Sequence, residues 1–293
     1  MIVYVKSYLA EYDSRLQKYF RSMEISDQPY CFIGWRKDPR NNTSQDYFGR
    51  LYDYPAELGG GFRNSLALIL WNIFILRSLF SLRSQVSVIH AVDLDCAAAC
   101  FIFARLFGKK IVFDIYDKYS AVRKLGAILG ALADRLERYI SRHSDLTIIA
   151  AGERIEQHRL QSYCGALLIL ENVPGVEIVH AAAQPFSGKW RIGYFGVLEA
   201  THRGLEDLLQ LAGHKDNIEL HIAGYGQLET AVADAADRHA NIFYHGALSS
   251  HDGLSLMRDM HVLAGLYYRS TPNHLHAAPN KYYEHLMLGR PLL

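Results

Sequence analysis

The stretch "HIAGYGQLE", residues 221–229, decides the fold. Its first residues are typical of the end of a buried strand, and its last residues begin a helix. Gly224 and Gly226 bracket the tight turn between them. Glycine lets the backbone come close to a ligand, and the start of a helix favours an anion, so a diphosphate suits this turn. The third glycine of a dinucleotide fingerprint is absent, and an ordinary turn is the alternative.

Short apolar runs without alternation continue on both sides of this turn, separated by helical patterns. Such runs predict parallel strands that helices cover on both faces. We expect an α/β fold with two doubly wound, Rossmann-like parallel-sheet domains that face each other across a cleft. The predicted boundaries are residues 1–175 for the first domain, 176–189 for a linker and 190–293 for the second domain.

Composition excludes several classes of protein. Half of the 293 residues are hydrophobic and the net charge is +1, so neither long disorder nor binding to nucleic acid is predicted. Cys96 and Cys100 lie one helical turn apart among apolar residues, where small buried side chains are favoured over a metal or redox pair. Met1 leads directly into a strand pattern without a signal segment, and we expect a cytoplasmic protein.

The most apolar segment is "SLALILWNIFILRSLFSL", residues 65–82. Its strongest run is shorter than the roughly 20 residues that span a bilayer, so a core helix is the first interpretation. The alternative is an interfacial helix whose Arg63, Arg77 and Arg83 meet anionic headgroups, which would place the protein at the inner face of the membrane.

Two further places put charged residues at predicted strand ends. Arg203 stands before a helix in "HRGLEDLL", where it could pair with phosphate or lie on the surface as a solvated arginine. In "PNKYYEHLML", Lys281 and Glu284 could form an i, i+3 pair, or Glu284 could accept hydrogen bonds from ribose hydroxyls.

Taken together and in this order, five blocks resemble the donor-side domain of the retaining glycosyltransferase family with the GT-B fold, which includes bacterial mannosyl- and glucosyltransferases of surface-polysaccharide assembly. They are "RIGYFG", "HRGLEDLL", "IELHIAGYGQLE", "NIFYHGALS" and "PNKYYEHLMLGRPLL". "VKSYLAEYDSRLQKYF", "VIHAVDLD", "GKKIVFDIYDKYS" and "LERYISRHSDLTIIA" resemble its acceptor-side domain. The resemblance covers nearly the whole chain.

The resemblance implies a role for each matching residue. It places His276 on the sugar side, and it implies no metal and no cofactor. For catalysis it implies Arg203, Lys281, Asp117 and His90. For binding of the donor nucleotide and diphosphate it implies Gly196, Arg203, Gly224, Gly226, Asn280 and Glu284.

The implied activity is transfer of a hexose from a UDP- or GDP-linked sugar to a glycan or lipid-linked acceptor, with retention of configuration. Three positions depart from the family pattern. His276 stands where many members have glutamate, Val197 stands where a basic residue often follows Gly196, and Tyr116 with Asp117 stands where a histidine often ends the strand. These departures favour an alternative, a degenerate nucleotide-sugar-binding protein without transfer activity. A sugar-nucleotide epimerase is a third hypothesis.

Polar residues at strand ends of the acceptor-side half each allow two interpretations. "DLD", Asp93 to Asp95, could bind a divalent cation, but capping of the following helix is favoured. His90 could line the acceptor cleft or be a hydrogen-bonded histidine at a strand end. Asp114 and Asp117 are candidates for the same cleft, although Asp114 could face the other side of its strand.

The last block, "GRPLL", resembles the start of a strand that the family continues into further elements. We therefore expect the second domain to be incomplete and the chain to be truncated at its C-terminus. A truncated donor domain is a second reason to keep the nucleotide-sugar binder as an alternative.

Overall fold

The structure, a computed structural model, describes residues 1–37, 49–56, 62–163, 165–175, 185–200, 204–266, 268, 276 and 279–293. The chain divides into two compact units, Met1–Glu171 and Asn172–Leu293. Residues 176–184 of the predicted linker lie outside the described part of the chain.

The first unit alternates strands with helices. Its strands are β1 (Ile2–Lys6), β2 (Tyr30–Arg36), β3 (Gly49–Asp53), β4 (Val88–Val92), β5 (Lys110–Ile115), β6 (Leu146–Ile149) and β7 (Leu167–Ile169). Its helices are α1 (Ser14–Ile25), α2 (Phe62–Ser81), α3 (Leu94–Phe107), α4 (Tyr119–Val122), α5 (Ala127–His143) and α6 (Arg154–Gln157), with a 3-10 turn at Ala10–Tyr12.

The seven described strands form one parallel sheet in the order β3-β2-β1-β4-β5-β6-β7. The order reverses between β1 and β4, which pair in parallel with Tyr4 opposite His90. Strand β3 differs from the sequence prediction, which expected a loop. Strand β3 pairs in parallel with β2, from Phe32 opposite Gly49 to Arg36 opposite Asp53. The prediction missed it because the short "GRLYD" segment is held as a strand by this tertiary pairing and not by a local strand pattern.

Helices cover both faces of this sheet. One face packs against α2, α3 and α5 through a core that includes Trp71, Phe103 and Ile140. The other face packs against α1 through Leu16 and Phe20. The largely apolar central strands follow from this arrangement, since a parallel sheet that is buried on both faces has no solvent-facing side. His90 on β4 and Asp114 on β5 are buried polar exceptions.

The second unit repeats the pattern on a smaller scale. Its strands are β8 (Trp190–Phe195), β9 (Ile218–Ala223), β10 (Ile242–Tyr244) and β11 (Val262–Leu263). Its helices are α7 (Leu205–Gly213), α8 (Glu229–Arg238), α9 (Ser250–Arg258) and α10 (Asn280–Leu288).

The described strands of the second unit pair in parallel in the order β10-β9-β8-β11, so the order reverses between β8 and β11. Strand β11 is shorter than the predicted "HVLAGLYY" strand. It pairs with β8 on one side and, through Leu263, with Leu292 on the other. The predicted fold class of two doubly wound parallel-sheet domains is confirmed.

Candidate functional site

Three glycines with left-handed backbone lie at the carboxyl ends of β8 and β9. Gly196, Gly224 and Gly226 have φ angles of +142°, +149° and +148°. A Cβ on Gly224 would lie 1.8 Å from the Gly196 carbonyl oxygen, and a Cβ on Gly226 would lie 2.7 Å from the Leu198 carbonyl oxygen. Only glycine fits at Gly224 and Gly226, because there the two loops pack backbone against backbone.

Backbone hydrogen bonds hold the two loops together. The Leu198 N–H donates to the Tyr225 carbonyl at 2.9 Å, and the Leu228 N–H donates to the Leu198 carbonyl at 3.0 Å. Within the described residues, the N–H groups of Tyr225, Gly226 and Gln227 donate to no acceptor, and all three residues are exposed. Consecutive N–H groups before a helix form a concave site for an anion.

Lys281 brings a positive charge to the carboxyl end of β8. It lies in the first turn of α10, and its ammonium group donates to the Phe195 carbonyl. The Nζ atom also lies 4.1 Å from the centre of the Tyr194 ring. A Cβ on Gly196 would meet this Nζ at 2.7 Å. The charge therefore stands where the strand order reverses, the place where open parallel sheets bind ligands.

Three further donor-side predictions, His276, Asn280 and Glu284, lie within α10 or shortly before it in the sequence. Glu284 is half-buried one turn after Lys281. Asn280 accepts a hydrogen bond from the Asn172 amide through Oδ1. His276 is half-buried in a turn, and Arg203 lies outside the described residues. The roles of these residues stay predictions.

His90 lies inside the first unit. Its Nε2 is 3.2 Å from Asp114 Oδ2, and the side chain is 6% exposed. Asp114 is fully buried and also contacts Arg15 Nη2 at 3.1 Å and Tyr19 Oη at 2.7 Å. Of the two interpretations of His90, this position matches the hydrogen-bonded histidine.

The buried Asp114 carboxylate is held in its charged form. Burial favours the neutral acid, but the hydrogen bond from His90 and the charge of Arg15 overcome it and lower the pKa of Asp114. Burial, together with the charge of the same carboxylate, raises the pKa of Tyr4 to about 12. Because Asp114 on β5 contacts Arg15 and Tyr19 of α1, its carboxylate fixes the packing of α1 on the sheet.

Asp117 is more accessible. It follows β5 at the carboxyl end of the sheet, and its Oδ1 accepts a hydrogen bond from Arg154 Nη2 at 2.7 Å. The Asp117 side chain is 48% exposed, whereas Arg154 is buried. Asp117 thus presents a fixed, solvent-accessible carboxylate on the first unit.

The prediction that the aspartates of "DLD" cap α3 through their side chains is wrong for Asp93. Asp93 precedes α3 with no side-chain cap hydrogen bond, and its Oδ1 instead accepts from the Tyr116 N–H at 2.9 Å. Its φ of +59° and ψ of 166° belong to a region that costs about 1–3 kcal/mol outside glycine. The Asp93 carbonyl, rather than the carboxylate, accepts from the helix N–H groups.

The pKa of the Asp93 carboxyl is raised above its ordinary value. Burial raises its pKa to about 7, against the attraction of Lys6 and the hydrogen bond from Tyr116. Asp95 points to other partners, accepting from Ser7 Oγ at 2.8 Å and pairing with Arg123. Ser7 and Asp93 follow β1 and β4, where the strand order reverses. The sequence shows that Asp93 follows a buried strand, but it does not reveal the strained backbone of Asp93.

Asp93 and Asp95 thus have separate hydrogen-bond and ion-pair partners. Across the part of the chain that the structure describes, no group of three or more His, Cys, Asp or Glu residues is arranged to hold a metal ion.

Known structures share this architecture, although no family model and no curated protein matches the chain. Sucrose-phosphate synthase from Thermosynechococcus elongatus matches with a TM-score of 0.70 and 12% identity, over 99% of this chain and 80% of that one. The lipopolysaccharide outer core galactosyltransferase WaaB matches with 0.65 and 11% identity, over 99% and 79%. Anabaena HepE in complex with UDP-glucose matches with 0.64 and 10% identity, over the same shares. The chain has the GT-B fold. At these identities the GT-B likeness concerns architecture.

Proposed function

We propose that this GT-B chain is a glycosyltransferase that transfers a hexose from a nucleotide diphosphate sugar to a glycan or lipid-linked acceptor, with retention and without a metal ion. The observation that carries the proposal is the glycine-built turn at Gly224 and Gly226. It lies beside the row of N–H groups at residues 225–227 and near the Lys281 ammonium group.

A nucleotide diphosphate suits this edge of the second unit for two reasons. The N–H groups of Tyr225, Gly226 and Gln227 are exposed hydrogen-bond donors that precede α8, where the helix dipole favours negative charge. The absence of a Cβ at Gly224 and Gly226 leaves the backbone open to close approach. We assign these groups to the diphosphate and Glu284 to the ribose hydroxyls.

The structural neighbours support a UDP-linked hexose as the first donor to test. HepE is described in complex with UDP and glucose, and an E. coli trehalose-6-phosphate protein with UDP-2-fluoro glucose. GDP-linked sugars are the second class of donor to test.

The proposed reaction breaks the bond between the anomeric carbon and the diphosphate oxygen through an oxocarbenium-like transition state. Negative charge grows on the leaving diphosphate, and preorganised donors stabilise it. Lys281, Arg203 and the residue 225–227 N–H groups supply that stabilisation. The acceptor oxygen bonds to the anomeric carbon on the face that the diphosphate leaves, and its proton passes to the departing phosphate oxygen.

The acceptor belongs, in this proposal, to the carboxyl edge of the first unit. Asp93 and Asp117 are the carboxylates that hold its hydroxyl groups, since both follow strands at that edge and neither is fully buried. We assign His90 a supporting position beneath this edge, because its ring contacts Asp114 in the interior.

The first experiment is a thermal-shift panel with UDP, GDP and ADP and their hexose conjugates. A ligand at about 100 times its Kd stabilises the protein that binds it by about 2.7 kcal/mol. We expect a response to one base. Glu284→Gln and Lys281→Ala should each weaken that binding about tenfold, the scale of a charge-assisted hydrogen bond. Glu156→Gln and Lys215→Ala, both at exposed positions, are the matched controls.

Transfer is then tested with the nucleotide sugar that stabilises the protein. A radiolabelled hexose should move to a glycan or lipid extract only when an acceptor is present, and the anomeric configuration of the product reports retention. Binding without transfer to any acceptor would favour the nucleotide-sugar-binding alternative. Epimerised sugar nucleotide without an acceptor would favour the epimerase. Absence of nucleotide binding by a cooperatively folded protein would contradict the proposal.

A further inference from the structure

Three helices lie side by side on one face of the seven-stranded sheet. The inner sides of α2, α3 and α5 form the core, and their outer sides expose large apolar residues. We call this outer surface the three-helix face. Two such residues on each helix define it: Ile69, Ile73, Ile102, Leu106, Leu132 and Leu136.

Aromatic contacts join the helices of the three-helix face. The Phe80 ring on α2 lies 5.9 Å from the Phe107 ring on α3. The Phe101 ring on α3 lies 5.9 Å from the Tyr139 ring on α5. Soluble monomers rarely expose large contiguous apolar patches, so a surface of this kind indicates an interaction site.

The outward-facing charges of these helices are positive. Each helix carries at least one exposed arginine. These arginines are Arg77 on α2, Arg105 on α3, and Arg135 and Arg142 on α5. Arg105 also lies over the Phe101 ring, 5.0 Å from its centre.

The acidic residues of the same helices turn inward. Helix α2 contains none, and the single acid of α3, Asp95, is buried and paired with Arg123. On α5, Asp134 pairs with Lys118 at 3.1 Å, and the buried Glu137 contacts His158 at 2.6 Å. The three-helix face thus combines apolar side chains with arginine charge and presents no exposed carboxylate from its helices.

We infer that the three-helix face docks on an anionic lipid surface. Apolar side chains at the depth of the acyl boundary and arginines at headgroup level are what such a surface binds. A spanning role for α2 is disfavoured. Its segment Asn64–Ser81 is long and apolar enough to cross a membrane, with a mean hydropathy of 1.4, but Trp71, Ile75 and Leu79 on its inner side are fully buried in the core.

The inference is independent of the proposed transferase activity, because it uses residues outside both candidate edges. A docked first unit would suit a lipid-linked acceptor.

The test is flotation of the full chain with phosphatidylcholine vesicles, with or without about one third phosphatidylglycerol. We expect binding to the anionic vesicles, little binding to the neutral ones, and release as the salt concentration rises. Arg105→Ser combined with Arg135→Ser should weaken binding about fivefold for each arginine. Leu106→Ser combined with Leu132→Ser should weaken it at low and high salt alike.

The matched control is Arg21→Ser combined with Ile25→Ser on α1, which packs on the other face of the sheet. Ile25 is 77% exposed and Leu106 is 74% exposed, so Ile25→Ser removes an apolar side chain about as exposed as Leu106. The control should bind as the parent chain does. Failure of the folded parent chain to float with anionic vesicles would overturn the inference, and so would equal loss in the control. A concentration-dependent dimer that Leu106→Ser abolishes would assign the three-helix face to a second copy instead.

Discussion

The carboxyl edge of one sheet is formed mainly by backbone, and that of the other sheet by charged side chains. In the second unit, the backbone of Gly196, Gly224 and Gly226 forms the edge, with conformations that other residues rarely adopt. In the first unit, charged side chains such as Asp93 and Asp117 form it through hydrogen bonds and ion pairs. A backbone-built edge should be sensitive to a single methyl group. An edge built from charges should be sensitive to charge and pH.

The largest effect should come from Gly224→Ala. The added Cβ would lie 1.8 Å from the Gly196 carbonyl oxygen, and the φ of +149° is itself unfavourable for alanine. Backbone strain and overpacking each cost about 1–3 kcal/mol, and this position lies at the upper end of both ranges, so we expect a loss of about 5 kcal/mol. Urea denaturation of the full chain, followed by tryptophan fluorescence, measures it.

Gly246→Ala is the matched control in the same unit. Gly246 also has a positive φ, +68°, but a Cβ there would meet nothing within 4 Å. We expect a cost of about 1 kcal/mol from conformation alone. Equal losses of unfolding free energy at Gly224 and Gly246 would mean that the close backbone packing at Gly224 contributes nothing beyond its positive φ.

The second effect concerns the interior beneath the charged edge. Asp114→Asn removes a fully buried negative charge and leaves Arg15 without compensation. Breaking one side of a buried pair costs about 3–5 kcal/mol, and the asparagine keeps part of the hydrogen bonding, so we expect about 3 kcal/mol. Chemical denaturation of the variant provides the measurement.

Asp53→Asn tests the same chemistry on the surface. Asp53 pairs with Arg36 between neighbouring strands, but its side chain is 56% exposed. Exposed pairs contribute little, so the change should be below about 1 kcal/mol. A large effect at Asp53 would show that burial does not decide the worth of these pairs.

The third effect is a pH-dependent stabilisation that we expect from Asp93→Asn relative to the parent chain. The Asp93 pKa is raised from about 3.9 in the unfolded chain to about 7 in the folded one. The folded state therefore holds the proton more tightly, and the contribution of Asp93 to stability falls as pH rises from about 4 to about 7. Asparagine does not titrate and can still accept from the Tyr116 N–H.

Asp93→Asn should accordingly gain stability over the parent chain as the pH increases. One pKa unit corresponds to about 1.4 kcal/mol, and allowing for partial exposure we expect a gain of about 1–3 kcal/mol at pH 8 relative to pH 5. Melting temperatures of both proteins across this range measure the difference. A difference that stays constant with pH would mean that Asp93 titrates in the folded state as it does in the unfolded chain.

The same contrast explains which features the sequence predicts. The two parallel sheets follow from apolar runs, and the glycine turn follows from its residues, because both are local patterns. The short strand β3 escaped prediction because its pairing with β2 is tertiary. The inward turn of Asp134 and Glu137 on α5 likewise depends on Lys118 and His158, which are distant in sequence.

Side-chain partners were the least predictable part of the candidate site. The "DLD" pattern favoured helix capping, yet Asp93 bonds to Tyr116 across the sheet edge. His90 looked equally suited to an acceptor cleft and to a strand-end hydrogen bond, and its neighbours Asp114 and Tyr19 become visible only when α1 folds onto β4 and β5. Local patterns identify side chains that are able to bind ligands or catalyse reactions, and packing decides which of them are accessible.

The smallest effect on stability should come from Asp117→Asn, which tests whether accessibility marks function. The pair with Arg154 is half exposed on the carboxylate side, so we expect a change below about 1 kcal/mol. Donor nucleotide binding should be unchanged, while a carboxylate that holds the acceptor hydroxyl should contribute about 100-fold to the rate of transfer. Asp145→Asn is the control, because Asp145 pairs with Lys110 at 2.7 Å at the opposite, amino edge of the same sheet. Equal transfer rates for both variants would remove Asp117 from the acceptor site, since its accessible position would then carry no chemistry.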